Sequence, residues 1–85
     1  MNTESRILFY GVNWCGDCRR SKRVFSDMQV PYVWFDLDQN SGAVEFVKSV
    51  NQGMRRVPTI VFPDGSMLVE PRDDILRAKL LDYQS

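Results

Sequence analysis

Apolar and polar positions along the chain follow two alternating rhythms. Ile7-Leu8-Phe9-Tyr10-Gly11-Val12 is a continuous apolar run behind a polar start, which predicts a buried strand. The rhythm then changes. Cys18, Ser21, Val24, Phe25 and Met28 recur at three- and four-residue steps. Arg19, Arg20, Lys22 and Arg23 interleave with them, which predicts an amphipathic helix. Val30-Pro31 breaks that pattern. Residues 32–37, rich in aromatic and β-branched side chains, predict a second strand. A loop at 38–42 offers Asn40 or Ser41 as the cap of a second helix, with Ala43, Phe46, Val47 and Val50 on its apolar face. Asn51-Gln52-Gly53 is its stop signal.

The second half reads as a hairpin and a helix. Residues 59–62 predict a third strand, Pro63-Asp64-Gly65-Ser66 a tight turn, and residues 67–69 a short fourth strand. Pro71 leads into a last helix over roughly 73–82. Asp73 and Asp74 suit its N-terminus, and Ile75, Leu76, Leu80 and Leu81 supply its apolar residues. The order is βαβαββα. The first βαβ unit should be right-handed with parallel strands, and the short turn makes the last pair antiparallel. An α/β architecture follows: a four-stranded mixed sheet with helices on both faces, expected as a single domain over 1–85.

Composition narrows the possible functions. Eighty-five residues with 44% apolar content can build a small core. Eleven basic and eleven acidic residues cancel, so no field favours nucleic acid. No run is long enough to span a membrane. Met1-Asn2-Thr3-Glu4-Ser5-Arg6 is polar, so no secretory leader is expected. Two cysteines without such a leader suggest a reducing cytoplasmic setting, where a disulfide is transient. The chain has no histidine, which excludes His-based triads.

The candidate chemistry is Trp14-Cys15-Gly16-Asp17-Cys18, between the first strand and the first helix. Two thiols at this spacing can close a small disulfide ring and so carry two electrons. Cys15 would sit at the helix N-terminus, where free N–H groups and the dipole favour a thiolate, and would act as nucleophile. Cys18, one turn further in, would be buried and act as the resolving thiol. Asp17 opposes the effect, since an acid beside a sulfur disfavours its ionised form. The other reading of the motif is half a zinc site. Zinc wants four ligands, and with two cysteines and no histidine one chain would need two carboxylates, unusual for a structural site, or a zinc would bridge two copies.

Trp14-Cys15-Gly16-Asp17-Cys18, Val57-Pro58-Thr59, Asp64-Gly65-Ser66 and the element order resemble the thioredoxin superfamily and, within it, the glutaredoxins. Glu45-Phe46-Val47, Ser49-Val50-Asn51, Gly53, Arg55, Pro71 and Ala78-Lys79-Leu80 bring it nearest to the mycoredoxins of actinobacteria, which commonly have Tyr where Asp17 stands. The resemblance implies a thioredoxin fold and a cis Val57-Pro58 peptide opposite the thiols. It also implies a thiol–disulfide oxidoreductase without a bound cofactor. Its co-substrate would be a low-molecular-weight thiol, mycothiol or glutathione, and its partners disulfide-containing or S-thiolated proteins. Trp14, Arg56, Val57, Pro58, Asp73 and Asp74 would contact substrate, with Arg55 a further cation for a substrate carboxylate. Glu70-Pro71 replaces the Gly-Gly pair of glutaredoxins. A monomer is expected. Two alternatives stay open: a thioredoxin-reductase-coupled hydrogen donor to ribonucleotide reductase, and an iron–sulfur cluster carrier.

Overall fold

The structure, a computed structural model, describes residues 6–84. The reading of the polar start as leader-free rests mostly on residues 1–5, outside those described. The elements are β1 (Leu8–Gly11), α1 (Gly16–Asp27), β2 (Val33–Asp36), α2 (Ser41–Val50), β3 (Thr59–Val61), β4 (Met67–Val69) and α3 (Asp73–Gln84). All seven follow the predicted order. Three of the four strands are shorter than their apolar runs. Ile7, Val12, Leu37 and Phe62 are buried without lying in a strand, since burial outlasts the hydrogen-bonded ladder at each end. The first helix starts earlier than its charged segment, at Gly16, with Cys15 as its cap.

The sheet order is β2-β1-β3-β4. β1 runs parallel to β2, with Gly11 opposite Asp36, and antiparallel to β3. β3 and β4 form the expected antiparallel hairpin. Side-chain alternation sends successive residues to opposite faces. Ile7, Phe9, Ile60 and Phe62 meet Val24 and Phe25 of α1 and Leu76 and Leu80 of α3 on one face. Tyr10, Val12 and Leu37 meet Ala43 and Val47 of α2 on the other. Helices therefore cover both faces, as the thioredoxin fold requires.

Two ends of this frame matter for the site. Asn40 caps α2 by accepting the Ala43 amide on Oδ1 at 3.0 Å, so the cap is Asn40 and not Ser41. After β4 the chain turns through Glu70, whose φ of 50° lies in the left-handed region that favours glycine. Its amide donates to the Pro58 carbonyl at 2.8 Å, tying this turn to the start of β3.

Candidate active site

β1 delivers the chain to α1 through residues 12–15, at the edge where the parallel strands end. Cys15 has extended backbone angles and caps α1. Its sulfur accepts the Cys18 amide at 3.4 Å, which aims a free helix N–H at the half-buried Cys15 sulfur. Cys18, one turn along the inner face, is 0% exposed. Burial pushes its thiol up to about 12; the Val12 backbone amide and the Lys22 charge act against that shift, and the neighbouring Cys15 adds to it. The two sulfurs thus differ as the helical spacing predicts: one reaches solvent, the other keeps its proton in the core.

The charges around them are mostly paired. Asp17 forms an ion pair with Arg20 one turn on, at the i,i+3 spacing that brings helix side chains together, so the acid beside the sulfur is compensated. Lys22 lies 3.5 Å above the Trp34 ring and donates to Asn13 Oδ1 at 3.1 Å. Asn13 in turn donates to Asp36 at 3.3 Å. Trp14 is 69% exposed, while its indole N–H donates to Asp38 at 2.7 Å. Arg55 donates to the other oxygen of Asp38 at 3.2 Å. Asp38 therefore joins the loop before Cys15 to the loop before Val57. Sequence reading passed it over as a loop residue, because neither partner is near it in the chain.

Val57-Pro58 is a cis peptide, as the resemblance implied. Val57 and Cys15 pack against the same apolar cluster as Tyr10 and Val47. Among the described residues, the Val57 amide and carbonyl make no backbone–backbone hydrogen bond. Buried Asn51 and Thr59 hold this segment from behind. Asn51 donates to the Val47 carbonyl at 2.9 Å and to Thr59 Oγ1 at 3.3 Å, and the Thr59 hydroxyl donates to the Arg56 carbonyl at 2.8 Å. Neither residue was singled out for the site from sequence. A Thr at the start of a strand and an Asn after a helix carry only local signals.

Beside the motif lies an open cleft of about 350 Å³, lined by Asp17, Arg20, Glu70, Pro71, Arg72 and Asp73. Arg56 is paired with Glu70 at 3.1 Å at one side of it. Of the two acids at the start of α3, Asp73 lines the cleft. Asp74 instead accepts a two-pronged contact from Arg72, at 3.1 and 2.8 Å, which holds its carboxyl below the usual carboxylate range. Among the described residues no group of three or more His, Cys, Asp or Glu could hold a metal ion. No described helix is long and apolar enough to cross a membrane.

A strand-to-helix turn bearing two thiols of unequal burial, with Cys15 on the same apolar cluster as Val57 of a cis Val57-Pro58 peptide, on a thioredoxin-like frame, defines the class of thiol–disulfide oxidoreductases. The chain belongs to the glutaredoxin family, whose model matches residues 7–67. A glutaredoxin-named protein of Mycobacterium tuberculosis is 43% identical over 75 residues, covering 88% of this chain and 89% of that one. Mycoredoxin 1 of Corynebacterium glutamicum is 37% identical over 67 residues, covering 79% and 82%. Among solved structures, the glutaredoxin-like NrdH-redoxin of Escherichia coli superposes with a TM-score of 0.73 at 25% identity, over 86% of this chain and 92% of that one. A glutaredoxin of Archaeoglobus fulgidus shares the fold, with a TM-score of 0.75 at 21% identity and coverage of 89% and 86%. Members of the family need no prosthetic group and use thiol co-substrates.

Proposed function

We propose that this protein reduces mixed disulfides between cytoplasmic proteins and mycothiol, acting as a monomer. The observation that carries the reading is the pair of unequal sulfurs, Cys15 half-buried at the α1 cap and Cys18 fully buried behind it. The Cys15 thiolate attacks the mixed disulfide, so one protein–thiol bond breaks as a Cys15–thiol bond forms. The departing protein thiolate takes up a proton. A second small thiol then attacks the small-thiol sulfur of this mixed disulfide, which releases the Cys15 thiolate and a small-thiol disulfide; alternatively Cys18 attacks the Cys15 sulfur, which closes the Cys15–Cys18 disulfide and releases the first small thiol. Trp14 and the free backbone groups of Val57, ahead of Pro58, meet the client chain, which adds as a short strand. Arg56 and Asp73 border the small thiol, and Asp74 acts on it through Arg72, the cleft residue it holds.

Mycothiol is favoured over glutathione by the cleft itself. Arg20, Arg56 and Arg72 are each already paired with an acid. A thiol that brings its own carboxylates must displace one of those acids. The Glu70-Pro71 turn and the likeness to mycoredoxin 1 support the same choice. The test is reduction of one client peptide carried as its mycothiol or its glutathione mixed disulfide, each with the matching thiol as reductant. Faster turnover of the mycothiol form is expected, and faster turnover of the glutathione form overturns the choice.

The likeness to NrdH-redoxin supports a second reading, in which this chain passes electrons from thioredoxin reductase to a protein acceptor such as ribonucleotide reductase. Rapid reduction by NADPH and thioredoxin reductase, with poor turnover of both small-thiol disulfides, would favour that reading.

A further inference from the structure

Gly11 ends β1, pairs with Asp36, and accepts the Leu37 amide on its carbonyl at 2.9 Å. It is not among the residues of positive φ, so the backbone there does not require glycine. Space does. A Cβ at Gly11 would lie 2.7 Å from Cys18 Sγ, and 3.1 and 3.2 Å from Cη2 and Cζ3 of the Trp34 indole. Carbon contacts settle near 3.5–4.0 Å, and sulfur is larger than carbon.

The neighbours have little room to retreat. The Trp34 ring is braced edge-to-face by Phe9 at 5.2 Å and covered by Lys22 at 3.5 Å, which is itself held by Asn13. Cys18 is on α1, whose first turn is anchored by the Arg19 amide donating to the Cys15 carbonyl at 3.0 Å. What can move is the Cys18 side chain. Moving it shifts the sulfur from the place it now holds beside Cys15 and the Val12 amide.

We propose that Gly11 is a positioning residue for thiol exchange: its missing side chain leaves the seat that holds the Cys18 sulfur against β1 and beside Cys15, with Trp34 as the far wall. The proposal rests on Cys18 being the resolving thiol. In that step the Cys18 thiolate attacks the Cys15 sulfur of the mixed disulfide. The Cys15–Cys18 bond forms, the bond from Cys15 to the small thiol breaks, and the small thiolate takes up the proton that Cys18 released. Gly11 touches no substrate; it sets where the attacking sulfur starts.

Two measurements on Gly11→Ala test it. The first is the rate at which a mixed disulfide between Cys15 and a small thiol releases that thiol as the Cys15–Cys18 disulfide closes. Closure should slow roughly tenfold or more, because the added methyl pushes the attacking sulfur off its seat against β1. The second is a thermal cycle on reduced protein that adds the same methyl to the parent and to Cys18→Ala. The methyl should lower the midpoint in the parent and lower it less once the sulfur is gone. Trp34 is present in both backgrounds, so its contact cancels.

An unchanged closure rate overturns the proposal, and so does an equal thermal cost in the two backgrounds. Should Gly11→Ala fail to fold while Gly11→Ala/Cys18→Ala folds, the sulfur is the obstacle and the proposal stands. Failure of both to fold overturns it. A parent that never closes its own disulfide overturns the functional reading, and this proposal with it. A parent that closes normally beside an unaffected Gly11→Ala overturns the proposal alone.

Discussion

The two sulfurs are three residues apart in the chain and in different surroundings, and the first predictions follow from that difference. Cys15→Ser should abolish exchange with every disulfide tested. Cys18→Ser should keep turnover of small-thiol mixed disulfides and lose the intramolecular disulfide, read by mass spectrometry after oxidation. Cys18 also ties stability to pH. Its thiol is raised by burial from 9.0 to about 12, so across that window the unfolded chain releases a proton that the folded chain keeps. The stabilisation is complete below pH 9.0 and is lost as pH rises towards about 12. Urea midpoints of the reduced protein should therefore fall more steeply across this range than those of Cys18→Ser, whose hydroxyl does not titrate there. The burial of Cys18 was legible because the helical step puts it on one face with Val24 and Phe25. The ion pairs of Arg55 and Arg56 were not. Their partners, Asp38 and Glu70, lie 17 and 14 residues away, and only the fold brings them together.

Each element was legible where its ends carry local chemistry. Asn40 is such a case, since an amide oxygen one residue before a helix can take the orphan donor at Ala43. Asn40→Ala should cost about 1 kcal/mol in a urea titration, and Asn40→Asp much less, because aspartate caps equally well. The last helix shows the opposite. Its apolar residues do not all face the core: Leu76 and Leu80, four apart, are buried, while Ile75 and Leu81 are 46% and 60% exposed. α3 packs on one side only, and hydrophobicity alone could not choose between adjacent apolar positions. The hairpin turn was read from Asp64-Gly65 and holds for that reason. Gly65 takes a φ of 89°, and Asp64 accepts both the amide and the hydroxyl of Ser66. Those bonds hold the Asp64 carboxyl below its usual range.

At the scale of the whole molecule, one sheet separates two apolar clusters, and the redox pair sits at the edge where both meet. Phe9 is the centre of the larger cluster, in ring contact with Phe25, Tyr32 and Trp34 at 5.5, 5.1 and 5.2 Å. Phe9→Ala should cost about 3–5 kcal/mol by urea denaturation. That is a large share of the roughly 5–15 kcal/mol that holds a domain folded. The order of elements was legible because each apolar run has a clear period and each turn a clear breaker. The docking of Trp34 over Gly11 was not, because it depends on the parallel register of β1 and β2, which no local signal sets. That docking has a practical result. The chain has only two tryptophans. One immediately precedes the outer cysteine, and the other walls the pocket of the inner one. Every change in bonding between the sulfurs therefore occurs beside a native fluorophore, and the emission of the unlabelled protein will follow its own oxidation and reduction in real time.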